Sequence, residues 1–140
     1  MADFETLFKK QMERDEGRKN RLYKDSEGIE SIGIGRNMRR PLSEDEIDYL
    51  YRNDYLNHKK EMIHAFPWVL KLDDARFAAL LNMFFNLGVD KFSEFKNMLR
   101  SAEAHQWSDA AMHALDSKWA AQVGERSKRV ARQLETGVWN

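Results

Sequence analysis

Cysteine is absent from the 140 residues. The fold therefore owes nothing to disulfides, and no thiol can hold a metal. That absence says nothing about compartment. Net charge is absent as well: 23 basic residues cancel 23 acidic ones, so the chain as a whole cannot steer toward a polyanion and no nucleic-acid partner is expected. There is no apolar run of membrane length. The longest, around Phe77–Leu87, is flanked or interrupted by Arg76, Asn82 and Asn86, so no stable membrane insertion is expected. Met1-Ala2-Asp3-Phe4-Glu5 carries acid where an export signal carries positive charge, and no apolar segment follows it; no signal peptide is expected. His58, His64, His105 and His113 show no i, i+4 spacing, and a metal site is not expected. Gly-rich phosphate loops, repeats and low-complexity segments are missing too, and no cofactor is expected.

What is present suits one soluble domain with a core. Hydrophobic residues make up 42% and charged ones 33%, a balance that excludes wholesale disorder. Residues 3–16 read as a helix, with Asp3 as N-cap, Phe4, Leu7, Phe8 and Met12 on one face, and Gly17 as its stop. Residues 21–35 read as two short strands around Asp25-Ser26-Glu27-Gly28. Ser43-Glu44-Asp45-Glu46 is a capping box opening a helix with Ile47, Leu50, Tyr51 and Tyr55 on one side. Pro67 closes that region. Asp73 caps a buried helix carrying Phe77, Leu80, Leu81 and Phe84, which stops near Gly88. Further helices are expected over about 93–104, 108–115, 117–122 and 125–135. The class is α+β, mostly α, with a small β lobe near residues 17–40 and a helical body from 1–16 and 43–140. Lys118 to Arg132 holds a local excess of +4 from Lys118, Arg126, Lys128, Arg129 and Arg132 against Glu125. Such a run is a polyanion footprint or a solvated cationic face.

A glycosidic bond has a poor leaving group and an oxocarbenium-like transition state, so most enzymes that cut it use two carboxyls. Glu16, at the end of helix one, and Asp25, nine residues later in the β turn, could face each other across a cleft. Spacing alone equally allows two surface acids.

Several separated motifs narrow this. Asp15-Glu16-Gly17, Tyr23-Lys24-Asp25, Glu27-Gly28 and Ser31-Ile32-Gly33-Ile34-Gly35 resemble the N-terminal signature of the phage-type lysozymes, the glycoside hydrolase family of the T-even phage lysozyme. The resemblance continues through Leu42 to Asp54, Asn82 to Gly88, Phe95 to Leu99, Trp107 to Ala111, Ser117-Lys118-Trp119, Arg126 to Val130 and Thr136 to Trp139. It implies a lysozyme-like fold with a cleft between β lobe and helical lobe. It also implies action on bacterial peptidoglycan, at the bond between N-acetylmuramic acid and N-acetylglucosamine, with inversion; nothing in the sequence suggests other than a monomer. By position, Glu16 resembles the general acid, Asp25 the carboxylate that orients and deprotonates water, and Ser31 the hydroxyl that helps hold that water. Phe85 and Asn86 resemble cleft-lining residues that meet sugar, whereas Phe84, Trp119 and Trp139 read as packing. The resemblance implies ion pairs Glu16–Arg126, Asp15–Arg129 and Arg36–Asp54. It further implies host lysis after release from the cytoplasm by a separate holin, or carriage in a virion.

Three departures qualify the match. Serine at 31 replaces the usual threonine and loses the methyl that stiffens χ1. Arginine at 36 replaces histidine, giving its ion pair a cation that survives a rise in pH. The stretch from Gly35 to Ser43 is short, which predicts a smaller β lobe. Two rivals stay open: a lytic transglycosylase, which needs no water-activating aspartate, and a non-catalytic wall-binding or scaffolding domain.

Overall fold

Asp3 begins the first helix as its sequence position predicts. In the computed structural model, which describes residues 1–140, its carboxylate accepts the Thr6 N–H at 2.8 Å, and helix α1 spans Phe4–Glu16. Gly17 ends it, returning its N–H to the Glu13 carbonyl. Three antiparallel strands follow in the order β1 (Lys19–Lys24), β2 (Glu30–Gly33) and β3 (Arg36–Asn37). Two strands were expected. The third, only two residues long, pairs Asn37 with Ser31 and Arg36 with Ile32. The register of β1 against β2 shifts between Lys19 and Tyr23, so one irregular strand carries the chain from the helix into the turn.

Helix α2 spans Glu44–Ala65. Its capping box is reciprocal: Ser43 Oγ accepts the Glu46 N–H at 3.2 Å, and Glu46 Oε1 accepts the Ser43 N–H at 2.9 Å. The chain divides into two compact units, Met1–Ile47 and Asp48–Asn140, with the division falling inside this helix. α1 therefore clusters with the sheet. The apolar face expected on α2 is exposed at Ile47, Leu50 and Tyr51; full burial comes later, at Met62.

The second unit is all helical. A 3-10 turn (Pro67–Lys71) leads to α3 (Asp74–Ser93), α4 (Lys96–Glu103), α5 (Trp107–Leu115), α6 (Lys118–Val123) and α7 (Glu125–Thr136). The stop expected near Gly88 is a kink, with helical turns resuming beyond it to Ser93. Leu80, Met83, Phe84, Phe92, Met98 and Leu134 are fully buried, and Phe92 meets Phe84 edge-on at 5.2 Å and Phe66 at 5.6 Å. The unit's C-terminal helix is tied down by polar contacts that satisfy its last carbonyls. Arg76 donates to the carbonyls of Leu134 and Glu135 at 2.8 and 2.7 Å. Trp119 is buried as packing predicts, but Trp139 is 62% exposed and does not pack. No helix is long and apolar enough to cross a membrane.

Candidate active site

Glu16, Asp25 and Ser31 lie in the first unit. Glu16 is the last residue of α1 and is exposed. Gly35, in the turn between β2 and β3, adopts φ +65°, and its missing side chain makes room for Glu16. A Cβ at Gly35 would sit 2.9 Å from Glu16 Cγ and 3.0 Å from both Cβ and Cδ. The sheet thus abuts the end of the helix where the acid stands. Tyr23, on β1, adds a long contact at 3.5 Å from its hydroxyl to the Glu16 carbonyl.

Asp25 opens the turn between β1 and β2. Its Oδ1 accepts two backbone N–H groups, from Glu27 at 2.8 Å and Ile29 at 2.9 Å. Its own N–H donates to the Ile29 carbonyl at 2.9 Å. One oxygen therefore fixes the carboxylate to the turn, and Oδ2 has no protein donor. Ser31, 3% exposed, stands opposite Tyr23 in the β1–β2 ladder. Its hydroxyl donates to the Ile29 carbonyl at 3.3 Å, which orients Oγ and leaves its lone pairs as acceptors. Asp25 and Ser31 are thus both held through Ile29.

Each ion pair implied by the resemblance joins a residue of one unit to a residue of the other, and within their own units Asp15, Arg36 and Arg126 have other partners. Within its unit, Asp15 is held bidentately by Arg14, at 2.7 and 3.0 Å. That hydrogen-bonded guanidinium lowers the Asp15 pKa. Within its unit, Arg36 takes Glu46 as its carboxylate partner, and it also donates to the Pro41 carbonyl at 3.2 Å. Both residues belong to the first unit, and the capping box that anchors Glu46 to Ser43 brings its carboxylate back toward β3. The Arg36 hydrogen bonds, then the Ser43 N–H, hold Glu46 at about 2, below its ordinary 4.5. A depressed carboxylate adds stability that is complete above the unfolded-state value and is lost as pH falls toward the folded-state one. The stability advantage of the native chain over Glu46→Gln should therefore be constant from pH 8 to about 5 and shrink between about 4.5 and 2. Urea melts across that range measure it, and a pH-independent difference would contradict the pairing.

In the second unit, Asn82, Phe85 and Asn86 form an exposed strip along α3. They stand at i, i+3 and i+4, on one helix face. Arg126 donates to Asn82 Oδ1 at 2.9 Å and to the Asn82 carbonyl at 3.2 Å. The Trp119 indole N–H donates to Asn86 Oδ1 at 2.9 Å. Both amides are thereby oriented with Nδ2 outward. Sequence reasoning named Phe85, Asn86 and Arg126 but missed Asn82, whose position one helical turn before Asn86 was the available signal. A cavity of about 740 Å³ in this unit is lined by Phe95, Met98, His113 and Trp119 among others and includes none of this strip.

These features can be set beside known proteins. The family model for phage lysozyme matches residues 13–135, a span that contains Glu16, Asp25, Ser31 and the α3 strip. The chain belongs to the phage lysozyme family. Its lysozyme relatives cover nearly all of it. It is similar to "Probable T4-type lysozyme 1" of Dictyostelium discoideum, with 30% identity over 164 aligned positions, 95% of this chain and 96% of that protein. It is 32% identical to "Probable T4-type lysozyme 2" of the same organism over 164 positions, 94% and 95% of the two chains. A further match relates 90% of the chain, at 26% identity, to 27% of the pre-baseplate central spike protein Gp5 of Enterobacteria phage T4. As a phage lysozyme the chain is a glycoside hydrolase, and its α+β, mostly helical architecture is lysozyme-like.

Proposed function

We propose that this phage lysozyme cuts the β-1,4 bond from N-acetylmuramic acid to N-acetylglucosamine in bacterial peptidoglycan, with Glu16 as acid and Asp25 as base. The observation that carries the assignment is the Asp25 carboxylate, one oxygen fixed by two backbone N–H groups and the other open. An open oxygen on a fixed carboxylate suits a base that must hold one water in one direction.

In the proposed cycle the Glu16 carboxyl gives its proton to the bridging oxygen as the C1–O bond breaks. Water attacks C1 from the opposite face and loses a proton to Asp25 Oδ2, with Ser31 Oγ accepting a hydrogen bond from that water. One product gains the proton, the other the hydroxyl, and solvent returns the proton from Asp25 to Glu16. The configuration at C1 inverts because the water, not Asp25, forms the new bond. Phe85 and Asn86 contact sugar.

The biological setting we infer is phage-induced lysis by a monomer that stays in the host cytoplasm until a separate holin lets it reach the wall. The similarity to a phage spike protein favours, as a second setting, carriage in a virion for entry. The test is digestion of purified Gram-negative sacculi followed by analysis of the released ends. New reducing ends at muramic acid are expected. Anhydromuramic ends would make the chain a transglycosylase, and binding without release would make it a non-catalytic wall-binding domain.

A further inference from the structure

Helix α2 carries a row of rings at Tyr51, Tyr55 and His58, spaced i, i+4 and i+7 on one face. Tyr51 and Tyr55 stack at 6.3 Å with an interplanar angle of 22°. Phe85, from α3, sits against this row, 6.4 Å from Tyr51 and 4.7 Å from His58. His58 backs Phe85 from the buried side, where its Nδ1 is shielded from solvent without a hydrogen-bond partner. The outer members are not buried: Tyr51 is 58% exposed and Phe85 36%. An aromatic pair assembled from two helices and left open to solvent has a surface suited to a flat, partly apolar ligand. The polar surroundings narrow that ligand. Asn86 follows Phe85 on α3 with its carbonyl oxygen occupied by Trp119, so its outward group is a donor. Asn82 presents a second donor one turn earlier. A pyranose ring fits this layout, because its C–H face is apolar while its hydroxyl and acetamido oxygens accept hydrogen bonds at the rim.

We propose that Tyr51 is a sugar-stacking residue, forming with Phe85 an aromatic platform for one pyranose ring of the glycan, with the Asn86 and Asn82 amides donating at its edge. This rests on the peptidoglycan reading and adds to it a binding residue on α2. The ring, not the hydroxyl, supplies the contact.

The experiment titrates the full chain with a β-1,4-linked N-acetylglucosamine hexamer, following aromatic resonances by NMR. It compares native protein, Tyr51→Phe, Tyr51→Ala and Tyr49→Ala, the last removing a ring that is 69% exposed but outside the row. Tyr51→Ala should weaken binding about tenfold, on the scale of one ring contact. Tyr51→Phe and Tyr49→Ala should stay within about twofold, since neither loses the stacking ring. Thermal melts check that each variant folds. The proposal is overturned if Tyr51→Ala binds as native does, if Tyr49→Ala loses as much, or if the hexamer leaves Tyr51 and Phe85 unperturbed. Clearing of sacculi by the same samples separates the two readings. Clearing with no dependence on Tyr51 sinks only the platform, whereas ring-dependent hexamer binding without clearing sinks only the hydrolase assignment.

Discussion

Glu16→Gln is expected to clear bacterial sacculi about a thousandfold more slowly than the native chain, within the 10²–10⁴ range of a lost general acid. The amide is nearly isosteric, and Glu16 is exposed with no ion pair in its own unit, so thermal stability should be unchanged. Asp25→Asn should lose activity on the same scale for a different reason. The new side-chain carbonyl can keep the two turn hydrogen bonds from Glu27 and Ile29, which preserves the turn. The NH₂ then occupies the open position, where it can donate but cannot take a proton from water. Initial clearing rates beside thermal melts measure both variants. Full activity in either would remove that residue from the chemistry.

The second large effect concerns the glycine beside the acid. Gly33 and Gly35 share a left-handed backbone, at φ +69° and +65°, so alanine at either should cost about 1–2 kcal/mol through backbone strain. Their surroundings differ. A Cβ at Gly33 meets nothing within 4 Å, whereas one at Gly35 comes within 3.0 Å of three carbons of Glu16. Gly35→Ala must therefore displace the Glu16 side chain or the turn, and Gly33→Ala need not. With catalytic geometry sensitive to shifts near 1 Å, Gly35→Ala should fall roughly 10–100-fold below Gly33→Ala in clearing rate at similar stability. Equal activities would mean that this close approach does not govern where the acid sits.

Much of the architecture was readable because local chemistry decides it. Asp3, Gly17, Ser43-x-x-Glu46 and Asp73 mark helix ends that the structure keeps, each through a short-range hydrogen bond. The two-residue strand β3 left no periodic signal, since a strand that short cannot alternate visibly. On α2, apolar periodicity shows which side could be buried, and not whether anything covers it: Ile47, Leu50 and Tyr51 are exposed. The resemblance pairs Arg36 with Asp54 of the other unit, and a partner within its own unit was not sought. Glu46 had already been assigned to the capping box, yet a carboxylate has enough acceptor sites to serve Ser43 and a guanidinium together. Asp25 and Ser31 were recognised as residues, but their common anchor at Ile29 depends on turn geometry that no spacing rule encodes. The approach of Gly35 to Glu16 is a contact between a turn and a helix end nineteen residues apart in sequence, and only the folded chain reveals it.

The claim on which the mechanism turns is that Asp25 acts on a water molecule and forms no bond to the sugar itself. The anomeric form of the first product decides this, read by NMR within minutes of adding native protein to soluble peptidoglycan fragments, before mutarotation scrambles it. The mechanism predicts that the newly exposed muramic acid appears as the α anomer. Initial release of the β anomer would mean that a carboxylate attacked the sugar, and the assigned role of Asp25 would fall.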